Sequence, residues 1–194
     1  MVEVRASDVA PLPWRNGGGR TRELFAWPAG TDWKLRISLA DIDVDGPFSA
    51  FADVQRWFAV VAGAGVVLTL PGADGTHRLT TADEPLAFDG AAAPGCRLID
   101  GPTLDLNLML RGGLRGAMAR ARSGAPWESP AWRWRACFCA GAARWQGGDG
   151  AVRELEPLTL LSDLGAAPCT LVAHDAAAPM FWIGVDFDGA QVAP

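Results

Sequence analysis

The stretch Thr103–Arg111 constrains this chain more than any other, because its side chains sort by strict alternation. Leu104, Leu106, Leu108 and Leu110 fall on one face; Asp105, Asn107, Met109 and Arg111 fall on the other. A helical period would scatter those leucines around the axis. Residues 33–42 repeat the pattern, with Trp33, Leu35, Ile37 and Leu39 on one side and Lys34, Arg36, Ser38 and Ala40 on the other. Elsewhere the apolar runs are short, and 23 glycines and 14 prolines punctuate the chain, so no long helix fits. Short strands with frequent turns predict an all-β chain, either a sandwich or a pair of barrels.

Residues 13–25 read PWRNGGGRTRELF. Three consecutive glycines suit a tight turn, or a place where something approaches the backbone closely. A phosphate loop would need a helix opening behind them. Arg20–Phe25 alternates like a strand instead and is soon followed by Pro28 and Gly30, which favours a glycine-rich hairpin turn. Residues 56–70 predict a second hairpin, broken at Gly63 and Gly65. Residues 82–95 read as loop around an apolar centre at 86–88, and Leu114–Arg122 allows a short helix. The Gly/Ala/Pro/Arg-rich segment 112–131 separates two halves, 1–113 and 114–194. Strands are predicted in the second half at 132–140, 151–155, 158–162, 169–174 and 180–187.

At 194 residues and 49% hydrophobic, the chain can bury a sizeable core. A formal charge of −5 argues against nucleic acid and anionic membrane as partners. Residues 1–13 carry Glu3, Arg5 and Asp8 with no continuous apolar core, unlike a signal peptide, and no apolar run is long enough to span a bilayer. A cytoplasmic location is expected. The four cysteines, at 96, 137, 139 and 169, form no CxxC pair and read as reduced and buried. Cys137 and Cys139 share a face if their segment is a strand, which permits a metal or redox role. With only His77 and His174 in the chain, a zinc site is poorly supplied. HxH, HExxH and GxSxG motifs are absent, as is tyrosine. No catalytic residue, metal ligand or cofactor is assigned.

The two polar faces admit two readings. One is the wet side of a sheet. The other is the lumen of a barrel whose leucines pack outward. Asp105, Asn107, Met109 and Arg111 solubilise poorly and make a better pocket wall, part apolar and part hydrogen-bonding. Arg36, Arg56 and Arg111 would then be available to a carboxylate, each charge-assisted bond contributing about 1.5–3 kcal/mol.

Taken together, PWRNGGGRTRELFAWP, WKLRISLADIDVDGPFSAF, VVAGAGVVLTL and DGPTLDLNLMLRGG resemble the HutD/Ves family in order and spacing across most of residues 13–113. The resemblance implies a bicupin: two small β-barrels of the double-stranded β-helix type, related to metal-binding cupins but lacking their ligands. Phe51, Asp53, Gln55 and Arg56 stand where a metal cupin would supply histidines and a glutamate. Asp105, Asn107 and Met109 stand where it would supply another histidine. The Asp53-Val54-Gln55 segment departs from the glycine and acid that family members often show before the arginine matching Arg56. The family is linked with histidine utilisation, as a binder and moderator of a pathway metabolite. The chain is therefore expected to hold a small carboxylate, such as urocanate or formylglutamate, in its first barrel. Trp14 and Phe48 would wall it, Asn16, Ser38 and Asn107 would orient it beside Met109, and Arg36, Arg56 or Arg111 would neutralise it. The alternatives are a metal-independent isomerase or lyase using Asp45, Asp105 or His77, and a non-catalytic scaffold. A homodimer is left open.

Overall fold

The alternating stretches do become strands. The computed structural model describes residues 1–72, 75–128 and 132–186, and no α-helix occurs among the described residues. The first strands are β1 (Val2–Arg5), β2 (Leu12–Pro13), β3 (Gly19–Trp27), β4 (Leu35–Ile42), β5 (Gly46–Pro47) and β6 (Val54–Ala62). They are followed by β7 (Val66–Thr69), β8 (Thr76–Leu79), β9 (Leu86–Asp89), β10 (Gly95–Leu98) and β11 (Thr103–Arg111). The remainder holds β12 (Arg115–Arg120), β13 (Pro126–Trp127), β14 (Trp134–Cys139), β15 (Ala143–Gly147) and β16 (Val152–Leu155). It ends with β17 (Thr159–Ser162), β18 (Cys169–Ala173) and β19 (Met180–Asp186). The chain divides into two compact units, Val9–Gly113 and a second made of Met1–Asp8 with the chain from Leu114 onward.

The first unit has a six-stranded sheet in the order β2-β3-β4-β11-β6-β9 and a four-stranded sheet in the order β5-β10-β7-β8. In the larger sheet Asn107 lies opposite Ser38 on one side and Phe58 on the other, and Met109 lies opposite Arg36 and Arg56. Residues directly opposite one another share a face. The polar positions of β4, β6 and β11 are therefore brought together by register alone. Both sheets contribute to one core: Ile42, Phe58 and Val60 from the larger, Val66, Leu68, Leu79 and Cys96 from the smaller. On the opposite face of β4 and β11, Leu35, Ile37, Leu39, Leu106 and Leu108 are fully buried.

Several expectations change in three dimensions. Residues 56–70 are not a hairpin: β6 pairs with β11 and β9, while β7 pairs with β8 and β10. The turn at Gly63 and Gly65 carries the chain from one sheet to the other. Both have positive φ, and a Cβ on Gly65 would lie 2.1 Å from the Leu79 carbonyl oxygen, so local composition resembles a hairpin turn while long-range packing decides its partners. Trp33 precedes β4 and packs with Val54 and Met109, off the leucine face on which alternation places it. The loop expected at 82–95 contains β9 and ends on Gly95, the first residue of β10.

The second unit pairs a five-stranded sheet, β1-β17-β14-β19-β12, with a four-stranded one, β13-β18-β15-β16. The helix allowed at Leu114–Arg122 is instead β12, which pairs with β19 from Arg115 opposite Asp186 to Arg120 opposite Phe181. A Gly/Ala-rich segment has little preference of its own, and the neighbouring strand decides. Residues 1–8, grouped by position with the first half, contribute β1 to this sheet, with Val2 opposite Ser162. β15 fills a gap between predicted strands. Phe187, the last residue of the predicted strand 180–187, lies outside the described residues. Cys137, Cys139, Trp145, Leu161, Leu171 and Trp182 form the core.

Candidate functional site

The glycine run is a hairpin turn between β2 and β3 that also positions an aromatic wall. The Gly17 N–H donates to the Trp14 carbonyl at 3.0 Å, and the Trp14 N–H to the Gly19 carbonyl at 2.9 Å. Asn16 Oδ1 accepts from the Gly18 N–H at 3.0 Å. A Cβ on Gly19 would sit 2.1 Å from the Asp41 carbonyl oxygen and 3.3 Å from the Trp14 ring, so only glycine lets β3 approach both. Trp14 Nε1 donates to Thr21 Oγ1 at 2.7 Å, and its ring meets Phe48 edge-on at 6.4 Å.

These groups enclose one side of a cavity of about 450 Å³ in the first unit. Trp14, Asn16, Arg36, Ser38, Phe48, Arg56, Asn107 and Met109 all line it. Arg111, expected with them, does not line it: its guanidinium stacks on Trp33 at 4.4 Å, because Trp33 and Met109 fill that end of the face. Of the alternative acid–base groups only Asp105 lines the cavity. Asp45 accepts a hydrogen bond from the Leu98 N–H at 2.8 Å, and His77 lies on β8. Arg15, Thr21, Ser49 and Phe51 also line it. Their signal was nearness in sequence to the glycine run and to Phe48, which says nothing of direction until the turns are built.

The floor carries an ordered polar chain. Arg56 Nη2 donates to Asn107 Oδ1 at 2.8 Å, and Asn107 Nδ2 donates to Asp105 Oδ2. Arg56 is buried and its guanidinium lies 5.1–5.7 Å from the rings of Phe48, Phe51 and Phe88, within cation–π range. Burial pushes the Asp105 carboxyl up to about 8, with Arg56 and the Asn107 hydrogen bond opposing the shift. Burial likewise pushes Arg56 down to about 10, opposed by Asp105 and aided by Arg36. Asp105 Oδ1 and Arg56 Nε and Nη1 are buried without partners. Arg36 already holds Glu23 at 2.7 Å. At neutral pH the floor therefore presents a desolvated cation beside a largely neutral acid.

The sequence profile of HutD matches residues 6–176. The chain belongs to the HutD family. An uncharacterised 21.2 kDa protein of the hutC 3′ region in Pseudomonas putida is 36% identical over 110 residues, 55% of this chain and 56% of that protein. Protein Ves of Citrobacter koseri is 37% identical over 109 residues, 54% and 56% of the respective chains. The chain thus spans little more than half the length of these curated relatives. The solved HutD of Pseudomonas fluorescens SBW25 is similar at 29% identity with a TM-score of 0.80, over 97% of this chain and 99% of that one. Oxalate decarboxylase of Bacillus subtilis superposes with a TM-score of 0.62 at 10% identity, over 96% and 77% of the chains. That likeness extends to the cupin-like all-β fold alone.

The Bacillus subtilis oxalate decarboxylase has Mn(II) centres. The donor set here does not fit such an ion. On the cavity floor the Asn107 amide oxygen is already taken by Arg56, whose positive charge would oppose a divalent cation. Among the described residues no three His, Cys, Asp or Glu side chains converge. The thiols offer no alternative: burial pushes Cys139 up to about 11 and Cys137 well above its usual value. No helix among the described residues is long and apolar enough to cross a membrane.

Proposed function

We propose that this chain is a metal-free bicupin whose first unit binds a small carboxylate metabolite, acting in the cytoplasm as a governor of histidine utilisation rather than as a catalyst of one of its steps. The observation that carries this reading is Arg56, a buried guanidinium in a cavity floor with two nitrogens, Nε and Nη1, unpartnered. Its nearest carboxyl is held largely neutral by its own burial. A buried cation without an ionised partner is costly, and a ligand carboxylate supplies that partner with charge-assisted hydrogen bonds. Trp14 and Phe48 offer aromatic surface for a planar or aliphatic body, and about 450 Å³ lies within the usual range for small-molecule sites. Urocanate and formylglutamate are the metabolites favoured by the family link. The four cysteines are free and buried, which fits a reducing compartment.

A metal-independent isomerase or lyase is the second reading. It has one observation in its favour, the neutral acid Asp105 inside the cavity. Asp45 and His77 do not line that cavity, so no paired base stands ready to take a proton back.

Thermal unfolding of the purified chain with a panel of small acids tests the binding reading. A ligand at a hundred times its dissociation constant stabilises by about 2.7 kcal/mol, a rise of roughly 5–10 °C for a chain of this size. Arg56→Ala is expected to remove most of that rise. A panel with no shift at millimolar concentration, or a shift that survives loss of Arg56, Arg36 and Arg111 together, would place the site elsewhere.

A further inference from the structure

The polar chain on the cavity floor fixes where its proton sits. Arg56 has only donors, so the Asn107 oxygen must face it. The Asn107 NH₂ must then face Asp105 and donate to Oδ2. When the Asp105 carboxyl is protonated, the proton therefore resides on Oδ1. That oxygen is buried, has no partner, and belongs to a residue that is 1% exposed and lines the cavity. A bound carboxylate has lone pairs enough to accept from Arg56 and from an acid O–H at once.

We infer that Asp105 is a specificity-determining residue of this site: it enters the complex protonated, and its Oδ1–H donates to the ligand carboxylate that Arg56 neutralises. The inference rests on the carboxylate-binding reading. Where Asp105 is ionised before binding, one proton is taken from solvent and held on Oδ1 for each carboxylate bound, and no covalent bond to the ligand changes. The groups facing Asp105 support this. Arg56 on β6 and Asn107 on its own strand favour its ionised form, while burial and Asp41 on β4 favour the neutral one. Cys96 on β10 stays neutral, its thiol pushed up to about 12. Arg36 on β4 acts on Arg56 and is paired with Glu23. Burial outweighs Arg56 and Asn107 and holds the free carboxyl near 8, and a second anion beside it favours the neutral acid further.

Calorimetric titration of the full chain with formylglutamate, whose carboxylates do not titrate between about pH 6 and 9, tests the inference. In two buffers of different ionisation enthalpy at pH 9, the heats are expected to differ by the equivalent of nearly one proton taken up per ligand. The association constant is expected to stay level below about pH 8 and then fall, approaching tenfold per unit. Asp105→Asn retains a donor that cannot titrate. It is expected to cut the uptake to the small share left to Arg56, which titrates near 10, to flatten the profile between about pH 7 and 9, and to weaken binding at pH 7 by about three- to tenfold, since an amide is the weaker donor. Binding with buffer-independent heat and a level profile in the natural protein overturns the inference and leaves the carboxylate reading intact. The natural protein alone decides this should the variant not fold. No binding of formylglutamate or urocanate at any pH overturns both.

Discussion

At the scale of the residue, the decisive quantity is the cost of holding ionisable groups out of water. Asp105 titrates near 4 in an unfolded chain and near 8 in the folded one, because burial disfavours its anion. The folded state therefore binds the extra proton between those values, and stability falls as pH rises from about 4 to about 8. Asp105→Asn removes that penalty. It is expected to be more stable than the natural chain at pH 9, by on the order of a few kcal/mol, with the gap closing below about pH 5. Melting curves across pH check both limbs. Arg135 in the second unit is a buried cation held chiefly by main-chain carbonyls. Its guanidinium donates to the carbonyls of Gly165, Ala167 and Trp127 at 2.8–3.0 Å and stacks on Trp127 at 4.2 Å. Arg135→Met leaves three carbonyls without that donor. A loss of about 3–5 kcal/mol in urea unfolding is the expected outcome.

At the scale of the element, glycines differ by what surrounds them rather than by how many stand in a row. Gly17 has a φ of +72° with open space around it, so Gly17→Ala is expected to cost about 1 kcal/mol from backbone strain alone. Gly19 has no such strain, yet its Cβ would meet the Asp41 carbonyl at 2.1 Å and the Trp14 ring at 3.3 Å. Gly19→Ala must part β3 from β4 and push the aromatic wall outward. It is expected to cost more than about 2 kcal/mol and to weaken carboxylate binding, whereas Gly17→Ala leaves the wall in place. Paired unfolding and binding measurements on the two variants separate strain from displacement. Equal losses in both would show that the close approach to Trp14 does not govern the wall.

At the scale of the whole molecule, the two units are not two consecutive halves of the chain. β1 forms the edge of the five-stranded sheet beside β17, with Glu3 opposite Leu161 and Arg5 opposite Thr159. The Ala6 N–H donates to the Leu158 carbonyl at 3.0 Å, and Ala6 is buried. Deleting residues 1–8 strips hydrogen bonds and cover from β17 and creates a bare edge. Amide exchange should then accelerate at residues 159–162 while β4 and β11 keep their protection. Uniform loss of protection would show instead that the chain unfolds as one cooperative body.

Much of the site was legible in the sequence because strand geometry is local. Successive side chains point to opposite faces whatever the fold, so Arg36 and Ser38 could be grouped, as could Asp105, Asn107 and Met109, before any pairing was known. The β4–β11 register then brings the two groups together. The glycine run announced a tight turn for the same reason. Everything that depends on a distant partner was hidden. Gly63 and Gly65 resemble a hairpin turn, and only the Pro102 and Leu79 carbonyls beside them reveal a passage between sheets. Arg56 and Arg111 were equivalent cations until three phenyl rings enclosed one and Trp33 drew the other away. The charge state of Asp105 was undetermined as well, since ionisation follows from desolvation, and desolvation from every element packed around it. Alternation is dictated by the covalent backbone, residue by residue. Partners and burial are set by groups as far apart in sequence as Val2 and Ser162, and only the folded structure brings those into contact.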